Sequence, residues 1–226
     1  MKELLEQARS LNGELVRWRR HIHENPEVGA DLPDTCAYVT EELRKMGYEP
    51  YLVGGGVVAM LDGDPDGKVI LLRGDMDALP MEEHSGEPFA SKRPGKMHAC
   101  GHDTHTAMLL AAARLLSEHA DELPGCVKLM FQPAEELLAG ALDMIEHGLL
   151  ENPTVDAGIG LHISIGGGAE TAVGKISYKP GIANFSGDAI KVTFTGKDAH
   201  GSTPQKGVDA INIAAHAVIA LQEILA

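Results

Sequence analysis

Basic residues are scarce in this chain. Lys and Arg total 19 against 33 Asp and Glu, a formal net charge of −14, and such a field repels phosphate backbones and anionic membrane surfaces. The composition therefore argues against nucleic-acid and membrane partners. Long apolar runs are missing too, since no stretch approaches the roughly 20 residues of a membrane span. The opening Met1-Lys2-Glu3-Leu4-Leu5-Glu6 has acids where a secretory signal has a basic start and an apolar segment, so a cytoplasmic location is expected. Cysteines number only three, Cys36, Cys100 and Cys126. They are odd in number and lack framework spacing, so structural disulfides are not expected. What remains is 226 residues with 44% hydrophobic and 23% charged side chains. That is ordinary for a globular protein and enough for one full domain plus part of another.

The apolar pattern alternates between two periods. Leu4, Leu11, Leu15, Trp18 and Ile22 recur at helical spacing up to Asn25-Pro26, which stops a helix. A second helix is expected from about Asp34, with Tyr38, Val39, Leu43 and Met46 on one side and Gly47 after its end. Extended segments follow at 51–53, 57–61 and 69–72, the last of them apolar without alternation, as in a strand covered on both faces. Then come a helix over 104–119, a strand over 127–131, a helix over 141–147 and a strand over 157–161. This alternation predicts an α/β domain with a mostly parallel sheet and flanking helices. From about Lys179 the pattern changes to an alternating strand over 189–195 and a helix from Val208. One strand and one helix cannot bury themselves as a domain, so residues 181–226 read as the incomplete start of a second domain after a first over 1–180.

Ligands of such sheets gather beyond the carboxyl ends of the strands. The chemically interesting residues fall there: Asp75 and Asp77, Glu135 and Glu136, and His162. Met97-His98-Ala99-Cys100-Gly101-His102-Asp103-Thr104-His105 concentrates thiol and imidazole groups before a helix. A Cys-x-His spacing can place both on one zinc-like ion. The bland alternative is a helix start capped by Asp103 or Thr104 with an inert thiol. In Gln132-Pro133-Ala134-Glu135-Glu136, adjacent residues of an extended chain point in opposite directions. One carboxylate could then bind a metal while the other reaches water, although a Glu pair also suits a helix start. Singly, His162 reads as structural and Asp75-Met76-Asp77 as solvated acids. Their convergence on one side of the expected sheet favours a shared metal site.

The segments Arg20-His21-Ile22-His23-Glu24-Asn25-Pro26-Glu27, Gly74-Asp75-Met76-Asp77-Ala78-Leu79-Pro80, His98-Ala99-Cys100-Gly101-His102-Asp103, Gln132-Pro133-Ala134-Glu135-Glu136, Gly160-Leu161-His162 and Ala199-His200-Gly201-Ser202-Thr203-Pro204 occur in the order of one known group. Together they resemble the amidohydrolase branch of the aminoacylase and carboxypeptidase metallopeptidases, which includes hippurate hydrolases, indoleacetyl-amino-acid hydrolases and N-acetyldiaminopimelate deacetylases. The resemblance implies a zinc-peptidase-like catalytic domain followed by a smaller α+β lid that forms a homodimer. It implies hydrolysis of N-acyl amino acids with a pair of divalent ions, zinc, manganese or nickel. It carries Cys100, His102, Glu136 and His162 over as metal ligands, Glu135 as general base, Asp77 as support for the site but not Asp75 as a ligand, and His200 as a donor reaching the partner's oxyanion.

The chain departs from the group at Ala30 and Leu32, and at Leu137-Leu138-Ala139-Gly140, where a glycine-rich stretch is usual. The group's remaining histidine ligand, near its C-terminus, has no counterpart here. Two ions wanting about four ligands each are under-supplied by the residues present, so the chain is expected to be a fragment. A catalytically inactive metal-binding homologue and a dimerisation scaffold are the competing readings.

Overall fold

A computed structural model describes residues 2–164, 173–182 and 190–224. Its contacts divide into two compact units, Met1–Thr171 and Ala172–Ala226. The first unit opens with two helices where the apolar spacing predicts one, α1 (Lys2–Ser10) and α2 (Asn12–Glu24). Leu11 between them donates its N–H to Ala8 O, three residues back. The following Asn12-Gly13 pair is a poor helix former, so the chain tightens there while the side-chain spacing is kept. α3 (Pro33–Lys45) has proline in its first turn and is followed by Gly47 at φ 90, the left-handed residue expected after a helix. Its first N–H groups are met from outside, because the Glu27 carboxylate accepts from Thr35 N at 2.7 Å and from Thr35 Oγ1 at 2.8 Å.

The sheet contains β1 (Tyr51–Val53), β2 (Gly56–Leu61), β3 (Lys68–Asp75), β4 (Gly125–Gln132) and β5 (Ala157–Gly160), in the spatial order β1-β2-β4-β3-β5. β3 runs parallel to both β4 and β5, whereas β2 runs antiparallel to β1 and β4. The sheet is thus mixed, and its parallel half carries the crossover helices α4 (His102–Ser117) and α5 (Gly140–Glu146), as parallel pairing requires. On β2 and β4, Val57, Ala59, Val127, Leu129 and Phe131 join a core with Trp18, Val39, Leu43 and Leu110. Their neighbours Val58 and Met130 face the other way, towards Met144 and Leu149. Both faces are covered, which is why the central strands are apolar without alternation.

Two charges are buried to tie layers together. Lys128 on β4 is 1% exposed, and its ammonium donates to Leu149 O and Glu151 O at 2.9 Å and to Pro153 O at 3.0 Å. Its three donors are matched by three acceptors, although burial pulls its pKa below the usual lysine value. Glu42 on α3 accepts from Trp18 Nε1, from Arg17 at 3.0 Å and from Lys45 at 2.8 Å. Burial alone would raise this carboxyl, but the Arg17, Lys45 and Trp18 donors bring it down to about 2.

In the second unit, α6 (Ala210–Gln222) is capped by Asp209, which accepts from Asn212 N at 3.0 Å. Lys197 bridges Val208. The strand expected over 189–195 begins at Ala189, outside the described residues, and 190–195 carries no ladder. A strand exists only against a neighbour that accepts its hydrogen bonds, and none of the described residues of this unit is buried.

Because the folded Glu42 carboxyl titrates below its unfolded value, its stabilising contribution is complete above about pH 4.5 and is lost as pH falls towards about 2. The unfolding free energies of the wild type and Glu42→Gln should therefore converge across that window, measured by urea titration at each pH. Lys128→Met should leave the carbonyls of Leu149, Glu151 and Pro153 without their Lys128 donor, the first of them buried, and hydrogen exchange should accelerate selectively in residues 149–155, at a cost of about 1–3 kcal/mol.

Candidate metal centre

Since β3, β4 and β5 are parallel, their carboxyl ends share one edge, with Asp75 level with Gln132 and Arg73 level with Gly160. The segments leaving this edge hold Asp77, Glu135, Glu136 and His162, and α4 begins there with His102. Gly101 precedes His102 at φ 91, and a Cβ on it would lie 2.3 Å from Ile163 Cδ1. Glycine both permits the left-handed turn and leaves room for the 163 side chain. That turn is how Cys100 and His102 reach one place.

The structure brings the expected residues together. Cys100 Sγ lies 3.4 Å from His162 Nε2. His102 Nε2 lies 3.6 Å from Glu135 Oε2, 3.8 Å from Glu136 Oε1 and 3.7 Å from Asp75 Oδ2. Three groups offer ligand atoms within 4.8 Å of one another: Cys100, His102 and His162; His102, Glu135 and Glu136; Asp75, His102 and His105. His102 is common to all three.

Asp77 organises this cluster. Its backbone carbonyl lies 2.9 Å from His102 Nδ1, closer than its carboxylate at 3.4 Å. An N–H there leaves the Nε2 lone pair facing the acids. The Asp77 carboxylate accepts the backbone N–H groups of Glu135 at 3.0 Å and Glu136 at 3.1 Å. Two consecutive N–H groups can converge in this way because Ala134 adopts φ 50, a conformation uncommon for a residue with a side chain. The expectation of an extended Glu pair pointing in opposite directions is corrected here. β4 ends at Gln132, residues 135–138 form a turn, and both carboxylates approach His102 Nε2 from that turn.

His102 Nε2 and Glu136 Oε1 are buried without hydrogen-bond partners. Burial, followed by the Glu136, Glu135 and Asp75 charges, pushes the Cys100 thiol up to about 12. Burial would lower the His102 pKa, but Asp77 and the surrounding carboxylates raise it. An imidazole lone pair, a thiol and several carboxylates crowded together are short of positive charge. A divalent cation supplies it and turns the thiol into a thiolate, so the donor set fits a metal.

Other residues stand elsewhere. Asp103 does not cap α4, whose N-cap is Gly101; its buried carboxylate accepts from Arg19 Nε at 2.7 Å and pairs with His23 Nδ1 at 2.8 Å, tying α2 to α4. His200 lies in the second unit, with Nδ1 2.9 Å from Ser202 Oγ. The sequence reasoning missed the His105–Asp75 pair, at 2.6 Å, and the Arg73–Asp75 ion pair, at 2.7 Å. The signal for the first was present, because His102 and His105 are one helical turn apart and share a face.

A family profile described as "Peptidase family M20/M25/M40" matches residues 71–224. The N-acetyl-L-cysteine deacetylase of Bacillus subtilis (strain 168) is 44% identical over 96% of this chain and 51% of its own length. The IAA-amino acid hydrolase ILR1-like 5 of Arabidopsis thaliana is 44% identical over 93% of this chain and 47% of its own. Among solved structures, the Bacillus subtilis YXEP protein, described as a dinuclear metal binding peptidase from the M20 family, is similar with TM-score 0.66 and 41% identity, over 69% of this chain and 44% of that one. The chain spans about half the length of these curated relatives. With a profile match over 71–224, more than half of its length, the chain belongs to peptidase family M20/M25/M40.

Proposed function

We propose that this chain is the metal-binding part of a hydrolase that cleaves the amide bond of N-acyl amino acids. The observation that carries the reading is the buried, unpartnered His102 Nε2, with Glu135 and Glu136 at 3.6 and 3.8 Å, beside Cys100 and His162. The relatives named as a deacetylase and an IAA-amino acid hydrolase supply the substrate class.

In this reading Cys100, His102, Glu136 and His162 hold a pair of divalent ions. Thiolate favours zinc by softness, while imidazole and carboxylate also accept manganese or nickel. Bound there, the ions polarise the acyl carbonyl and lower the pKa of water. Glu135 takes the proton from the attacking water and returns it to the leaving amine, which needs a carboxylate within hydrogen-bond reach of both. Asp77 fixes the directions of His102 and the Glu pair. Residues 1–180 are the catalytic domain, and 181–226 begin a lid through which a cytoplasmic homodimer forms. From that lid His200 donates an N–H to the oxyanion in the partner subunit.

The test combines elemental analysis with hydrolysis of N-acetyl, N-benzoyl and N-indoleacetyl amino acids, on this chain and on one extended to the length of its relatives. Cys100→Ala should lose metal affinity by at least about tenfold. Glu135→Gln should keep its metal and lose about 10²–10⁴-fold in kcat. Full metal content in Cys100→Ala, or undiminished turnover in Glu135→Gln, contradicts the assignment.

A further inference from the structure

His105 stands among the candidate ligands, within 4.8 Å of the donor atoms of Asp75 and His102, and is 2% exposed. Its hydrogen bonds assign it a different task. Nδ1 lies 2.6 Å from Asp75 Oδ1, and the backbone N–H of Ile163 donates to Nε2 at 2.9 Å. A ring nitrogen that accepts an N–H carries no proton, so the hydrogen of the neutral ring sits on Nδ1 and donates to Asp75. Arg73 holds the other Asp75 oxygen at 2.7 Å. Both nitrogens of His105 are thereby used, and no lone pair remains for a cation.

The Ile163 N–H belongs to the peptide immediately after His162. The carbonyl of Ile163 lies 2.6 Å from His162 Nδ1. An N–H donated there leaves the His162 Nε2 lone pair directed at Cys100 Sγ, 3.4 Å away. The His105 and His162 rings meet edge to face, with centroids 4.6 Å apart and planes at 68°. β5 cannot fix this segment by itself, because it is a four-residue edge strand, exposed along its length and paired on one side to β3.

We infer that His105 is a positioning residue, which through the Ile163 N–H sets His162 against Cys100 and is not itself a metal ligand. His105, bonded to Asp75 on β3 and to the Ile163 N–H, links that strand to the loop after β5, with Arg73 as an ion-pair partner of Asp75. Asp75 serves this link as the acceptor that selects the His105 tautomer, a role typical of the outer partners of a metal site. The inference rests on the reading that Cys100, His102 and His162 bind metal.

The experiment loads the chain with cobalt(II), whose thiolate charge-transfer band reports on Cys100. His105→Phe, which keeps a ring and removes both nitrogens, should weaken cobalt binding about 10–100-fold and lose the band. His105→Gln, which restores an acceptor for the Ile163 N–H, should recover both. An unchanged affinity and band in His105→Phe overturns the inference alone. A wild-type chain that takes up no cobalt overturns the metal reading and the inference with it. Should His105→Phe fail to fold by circular dichroism, nitrogen-15 NMR of the wild type decides: a proton on His105 Nδ1 supports the inference, and a proton on Nε2 overturns it.

Discussion

The clamp made by Asp77 is the interaction on which the site depends. Its carbonyl faces His102 Nδ1 while its carboxylate gathers the N–H groups of Glu135 and Glu136. One residue leaving β3 thus orients side chains from the start of α4 and from the turn after β4. A carboxylate satisfied by backbone donors is itself held rigidly, which is the kind of support that keeps reactive groups within fractions of an ångström. Ala134 accepts an unfavourable backbone conformation at φ 50 to complete the clamp. Strain of that sort persists only where the surroundings over-determine it.

Around the clamp the charges do not balance. His102 Nε2 and Glu136 Oε1 are buried and lack partners, and burial, reinforced by the acids beside it, pushes the Cys100 thiol pKa up. Native interiors leave few polar groups in this condition, and such groups call for a physical explanation such as an ion site or a catalytic role. A partly buried cluster of acids, imidazoles and a thiol around the buried His102 is costly alone and becomes favourable around a cation. His105 shows the contrast: equally buried and close by, it has both nitrogens engaged and contributes rigidity instead of a lone pair.

The scaffold repeats this use of buried polar anchors at a distance. Asp103 joins α4 to Arg19 and His23 of α2, Glu42 joins α3 to Trp18 of α2, and Lys128 draws the 149–153 segment against the sheet. Apolar packing alone lets layers slide, whereas a directed bond in the interior sets their register. The edge where β3, β4 and β5 end is thereby presented in one arrangement.

Much of this was legible in the chain. The uninterrupted apolar run at 69–72, the helix stop at Gly47 and a helix expected over 104–119, found at His102–Ser117, follow from local period and backbone preference; Cys100 and His102 were recognisable as ligand types before a helix, and Glu135, Glu136 and His162 as residues after strands. Other features were invisible because they depend on partners distant in sequence. The antiparallel half of the sheet arises from β2 pairing with β4 across more than sixty intervening residues, and no local period reports a neighbour's direction. The turn of Glu135 and Glu136 towards one nitrogen required Asp77 to accept their N–H groups. Composition and spacing determined which side chains were available and near which element ends. Tertiary structure decided which atoms face one another, because hydrogen bonds are directional over about 3 Å and only the assembled sheet brings these segments within that range.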